Sequence, residues 1–67
     1  MKALLLIAHG SRKQAANEEI CRLAQQVAAL GGDDYGAVVA AFLERAEPSI
    51  QQGVERCVEL GATEIVA

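Results

Sequence analysis

The chain has 67 residues, 52% of them hydrophobic and only 3% aromatic, and carries a formal charge of −3 at neutral pH. That length allows one small domain, which buries only about 60% of its unfolded surface and is marginal alone. The acidic balance argues against a nucleic-acid partner, no apolar run approaches a membrane span, and the run after Met1-Lys2 is too short for a secretory leader and has no cleavage pattern; the expectation is a soluble cytoplasmic protein that binds neither nucleic acid nor membrane.

The first element is a continuous apolar run. Leu4-Leu5-Leu6-Ile7-Ala8 predicts a buried strand over about 2–8, and it stops abruptly at the chain's single histidine, His9, followed by Gly10-Ser11-Arg12. A helix is predicted over about 14–30, with Ala16, Ile20, Leu23, Ala24, Val27 and Ala28 as its apolar stripe. Gly31-Gly32 should end it, because glycine readily takes the left-handed C-terminal cap, and Asp33-Asp34 continue the turn. A second apolar run predicts a strand over about 37–43, and Glu44-Arg45-Ala46-Glu47 the loop after it. Pro48 is placed at the first position of a second helix, which carries Ile50, Val54, Cys57 and Val58 on one face and ends at Leu60-Gly61. Gly53 inside that helix costs up to about 1 kcal/mol relative to Ala, and close packing on the sheet would account for it.

Glu64 to Ala67 opens a third apolar, β-branched run. Its unterminated pattern leads to the expectation of an incomplete domain, continued past Ala67 or completed by a partner chain. The order β-α-β-α-β with short connections predicts a parallel sheet, helices on both faces and right-handed crossovers, half of a flavodoxin- or Rossmann-like fold. Both βα turns then fall on one edge of the sheet, where such folds bind ligands. His9, Ser11, Arg12, Glu44, Arg45 and Glu47 share that neighbourhood.

Each of these residues has two readings. His9 is either a loop histidine bonded locally or a metal ligand and proton acceptor, since imidazole titrates near neutrality and binds divalent metals. Glu44 is a solvated loop carboxylate or the nearest candidate for a second ligand. Arg45 is a surface arginine or a planar fork for an anionic group. Ser11 is expected to cap the first helix rather than donate to a ligand, and Glu47 to serve the positive end of the second. Cys21 and Cys57 stand in no ligand spacing and read as reduced thiols in or near the core. There is no G-x-G-x-x-G and no Walker lysine, so no phosphate loop and no organic cofactor is expected.

The run Ala8-His9-Gly10-Ser11-Arg12, then Ala41-Phe42-Leu43-Glu44, Glu47-Pro48-Ser49-Ile50 and Leu60-Gly61-Ala62-Thr63, resembles in order the class II chelatases, the small sirohydrochlorin chelatases of cobalamin and sirohaem biosynthesis. That family is built of parallel β/α units around a cleft and inserts Co²⁺, or Fe²⁺ in related members, into a tetrapyrrole without ATP. The resemblance implies that His9 is the family's first catalytic and metal-binding histidine, and that the loop holding Glu44 and Arg45 borders the tetrapyrrole substrate. Physical chemistry agrees: chelation removes two pyrrole protons while a metal arrives, which suits an imidazole, and an arginine can grip a carboxylate on the tetrapyrrole rim.

The implied metal is a substrate, Co²⁺ first, with Fe²⁺ and Ni²⁺ as alternatives. The family's second histidine would lie beyond residue 67, so these residues alone should be half a site, the N-terminal part of one chelatase-like domain. Small members work as homodimers, which makes a homodimer or another association that completes the sheet the expected partner. Two other functions compete: a non-catalytic metal- or tetrapyrrole-binding module, and a histidine phosphatase-like enzyme, which would want an arginine where Ala8 stands.

Overall fold

The computed structural model describes residues 1–31 and 34–67. The elements run β1 (Lys2–Ala8), α1 (Gln14–Leu30), β2 (Ala37–Phe42), α2 (Ile50–Glu59) and β3 (Glu64–Val66). The sheet is parallel in the order β2-β1-β3. β1 is therefore central and pairs on both sides, Leu4 lying opposite Val38 on β2 and Val66 on β3.

Alternation along the strands assigns the two faces. Ala3, Leu5 and Ala41 form the buried core with Cys57 of α2, and Val39, Ile50 and Ile65 pack against it. Phe42, one residue on from Ala41, points to the opposite face, where it is buried near Gln14, Asn17 and Cys21 of α1. The helices thus cover opposite faces, as the βαβ pattern predicts.

Gly53 explains how closely α2 lies on the sheet. A Cβ there would sit 2.9 Å from both Ala41 Cβ and Leu5 Cδ1. The leucine methyl can swing aside, but Ala41 Cβ moves only with its strand. Gly53→Ala should gain about 1 kcal/mol of helix propensity and lose about 1–3 kcal/mol to overpacking. We expect a net loss of stability in urea denaturation; a variant more stable than wild type would show that α2 can lift off the sheet.

Four details differ from the sequence expectation. α2 begins at Ile50, not at Pro48. The Pro48 carbonyl accepts from Phe42 N–H at 2.8 Å, which ties it to the end of β2, while Ser49 makes the cap: its hydroxyl accepts from Gln52 N–H and the Gln52 side chain accepts from Ser49 N–H. β2 ends one residue early, at Phe42. Gly31 caps α1 in a right-handed conformation, φ −69°, with its N–H on Val27 O; Gly32 and Asp33 of that expected turn lie outside the described residues. Finally, α1 packs chiefly over β2, so its inner stripe is narrow: Ala24 is buried and Ile20 and Val27 half-buried, while Ala16, Leu23 and Ala28 are exposed.

Gly61 ends α2 as expected. It takes φ +99°, its N–H donates to Val58 O, and Ala62 N–H donates to Cys57 O, the paired bonds of a Schellman motif. Cys57 is fully buried, and that burial pushes its thiol pKa up. Of the two thiols expected in or near the core, Cys21 is free and exposed, one position off the inward stripe of α1 and at the edge of the groove that Phe42 also lines.

Candidate functional site

The parallel ladder does not stop where the strands end. Leu43 N–H donates to Ala8 O at 2.9 Å and Glu44 N–H to His9 O at 3.1 Å. These two bonds carry the β1–β2 register into the loops and set His9 beside Glu44. Gly10 then turns the chain with φ +99°, and its α-carbon lies so close to β2 that an added Cβ would stand 1.7 Å from Glu44 O. A residue without a side chain is required there by both conformation and space.

On this backbone the side chains meet. His9 Nε2 is 3.1 Å from Glu44 Oε1, and Arg45 Nε reaches the same oxygen at 3.2 Å. An Nε2–H directed at the carboxylate leaves Nδ1 as the acceptor in neutral imidazole. The side chains of His9, Glu44 and Arg45 are 74%, 50% and 41% exposed, so the contacts themselves contribute little stability, about 1 kcal/mol or less. The cluster holds its shape through the backbone, and its donors face solvent where a ligand can reach them. Arg45 adopts φ +66°, a conformation that costs a non-glycine residue about 1–3 kcal/mol and that gathers at functional sites.

Beside the cluster, a groove of about 400 Å³ opens between the start of α1 and the β2–α2 loop. Ser11, Arg12, Cys21, Phe42 and Arg45 are among its lining residues, so Arg45 links it to the His9–Glu44 pair. A larger depression, about 550 Å³, runs along Glu47 of the β2–α2 loop and Gln52, Glu55, Arg56 and Glu59 of α2; His9 lines neither depression, and Arg45 borders only the first. Among the described residues, no three His, Cys, Asp or Glu side chains come together as a metal cage, and no helix is long and apolar enough to cross a membrane.

The structure thus brings together His9, Glu44 and Arg45, three of the residues singled out in the sequence. Ser11 does not cap α1: the N-cap is Lys13, without a side-chain bond. The chain bends first, and the Ser11 hydroxyl, two residues ahead of the N-cap, accepts from Lys13 N–H at 3.1 Å. Glu47 is exposed on the rim of both depressions, and Ser49 with Gln52 does the capping expected of it. Sequence reasoning missed Asn17. Its amide accepts from Ser11 N–H at 2.9 Å and donates to Ser11 O at 2.8 Å. The available signal was a poor helix former inside the first turns of an otherwise well-formed helix.

Comparison with known proteins gives a consistent picture. The family model CbiX matches residues 3–67. The chain is 33% identical over 66 residues to a sirohydrochlorin cobaltochelatase of Methanopyrus kandleri, covering 98% of this chain and 45% of the relative. It is 39% identical over 66 residues to a sirohydrochlorin ferrochelatase of Priestia megaterium, covering 97% and 24%, and 35% identical over 66 residues to a sirohydrochlorin cobaltochelatase of Methanocaldococcus jannaschii, covering 98% and 45%. The chain spans less than half the length of each of these relatives.

Proposed function

The chain belongs to the CbiX family of class II chelatases, and from that premise we propose that it serves the insertion of a divalent metal, Co²⁺ first, into sirohydrochlorin or a related tetrapyrrole. The observation that carries the reading is the imidazole–carboxylate pair at the ligand-binding edge of a parallel sheet, Nε2 to Oε1 at 3.1 Å. Metal bonds of about 2.1 Å to two donors that far apart enclose an angle of about 95°, within reach of octahedral or distorted tetrahedral coordination. His9 holds the metal through Nε2 in its Nδ1–H tautomer, the reverse of the one that donates to Glu44. Once Nε2 has given up the metal to the tetrapyrrole, it is free to accept a pyrrole proton. Glu44 supplies the second donor and a negative charge that favours the cation. Arg45, on the wall of the groove, meets a carboxylate of the tetrapyrrole.

Two donors do not hold a divalent ion tightly, so further ligands belong to the reading. We place these 67 residues as the N-terminal part of a single domain whose remainder, or a second copy in a homodimer, completes both the sheet and the metal site. The curated relatives are more than twice as long, and Ile7, Val54 and Val58 are left exposed, which supports that placement. Iron remains the alternative cargo, since the relatives' names divide between cobalt and iron.

The test is the visible spectrum of sirohydrochlorin mixed with Co²⁺ and full-length protein. We expect a metallated spectrum to develop faster than without protein, and little acceleration from the 67-residue segment alone. Full-length protein that leaves the uncatalysed rate unchanged with Co²⁺, Fe²⁺ and Ni²⁺ would overturn the proposal.

A further inference from the structure

We propose that Asn17 is a positioning residue: its side-chain amide ties the loop that carries His9 to helix α1 and so fixes the imidazole against Glu44. Its consequence for the metal rests on the function proposed above. One amide satisfies both backbone groups of one residue, accepting from Ser11 N–H at 2.9 Å and donating to Ser11 O at 2.8 Å. Asparagine inside a helix is less favourable than alanine, and here its side chain caps nothing in α1, whose N-cap Lys13 makes no side-chain bond, but bonds only the backbone of the preceding loop.

His9 needs such an anchor. Its side chain is 74% exposed, so packing does not fix it and its place is inherited from the backbone. On the strand side, the His9 carbonyl is held by Glu44 N–H. On the other side stands Gly10, the most permissive residue for rotation, and the next fixed point is Ser11. Without the amide clamp Ser11 loses its two bonds to Asn17 and keeps only the tie from Lys13 N–H to its hydroxyl, so Gly10 becomes a looser hinge and the 3.1 Å approach of His9 to Glu44 is set chiefly from the strand side.

The experiment compares wild type, Asn17→Ala, Asn17→Asp and Ile20→Val in the full-length protein. Ile20 is half-buried on the inner stripe of α1 and away from the loop, so it controls for a general loss of helix packing. The readouts are hydrogen exchange at the Ser11 amide, ¹⁵N order parameters at His9 to Ser11, and Co²⁺ affinity. Asn17→Ala should speed Ser11 exchange and weaken Co²⁺ binding, each by about tenfold or more, the scale of one or two lost hydrogen bonds. Asn17→Asp still accepts from Ser11 N–H but at neutral pH has no proton to offer Ser11 O, so it should loosen the loop and weaken Co²⁺ binding while speeding Ser11 exchange less than Asn17→Ala does. Ile20→Val should lower the melting temperature and leave the loop readouts alone. Unchanged Ser11 exchange and loop order in Asn17→Ala would overturn the proposal, and so would the same loosening in Ile20→Val. Should wild type take up no Co²⁺, the metal reading fails by itself, while the exchange and order parameters still decide the role of Asn17.

Discussion

Gly10→Ala is expected to lose about 3–5 kcal/mol of stability, a size reserved for a few identifiable mechanisms. Two of them act together. The φ of +99° is a left-handed conformation that costs an L-residue about 1–2 kcal/mol. In addition, the new Cβ would stand 1.7 Å from Glu44 O, a contact that only backbone movement can relieve. Moving Glu44 breaks its N–H bond to His9 O, so the strain falls on the pair that forms the site. Gly61 supplies the control within the same molecule. It has the same φ of +99° but nothing within 4 Å of its would-be Cβ, so Gly61→Ala should lose only the conformational part, about 1–2 kcal/mol. The difference between the two variants in urea denaturation measures the close approach of the two loops. Equal losses would mean that the Gly10–Glu44 contact relaxes freely and does not set the site.

What the sequence makes legible depends on how local the cause is. β1 and α1 are read correctly because each is specified by its own residues: an unbroken apolar run closed by His9-Gly10, and a helical period closed near Gly31. The start of α2 is misread because Pro48 satisfies a local rule, whereas its carbonyl is engaged by Phe42, six residues back. The stripe of α1 is read too wide because periodicity records which residues are apolar and not how much sheet lies beneath them. The nearness of His9, Glu44 and Arg45 follows from parallel topology alone. The close contact that enforces it and the Asn17–Ser11 clamp leave only weak marks in the sequence, a glycine after His9 and a poor helix former in the first turns of α1, because the turn geometry that gives those residues their partners is not local.

That topology makes the functional consequence sharp. On the function proposed above, His9→Ala in the full-length protein is expected to lower the rate of metal insertion by about 10²–10⁴-fold, the range for a lost general base, and to weaken Co²⁺ binding as well, since the proposal makes the same imidazole a ligand. Glu44→Gln keeps an oxygen able to accept from Nε2 but removes the charge. It should spare the fold, because Glu44 is half exposed, and reduce Co²⁺ affinity by about tenfold, the scale of a charge-assisted contact of 1.5–3 kcal/mol or somewhat less. Arg45→Ala should separate from both. If Arg45 grips a carboxylate that is bound equally in the ground and transition states, KM for the tetrapyrrole rises while kcat holds. The ordering of these effects is more diagnostic than any one of them. A metal site predicts that His9→Ala and Glu44→Gln move Co²⁺ affinity while Arg45→Ala does not. A local ion-pair network with no ligand predicts that none of the three moves it, and an unchanged insertion rate in His9→Ala would remove this histidine from the mechanism.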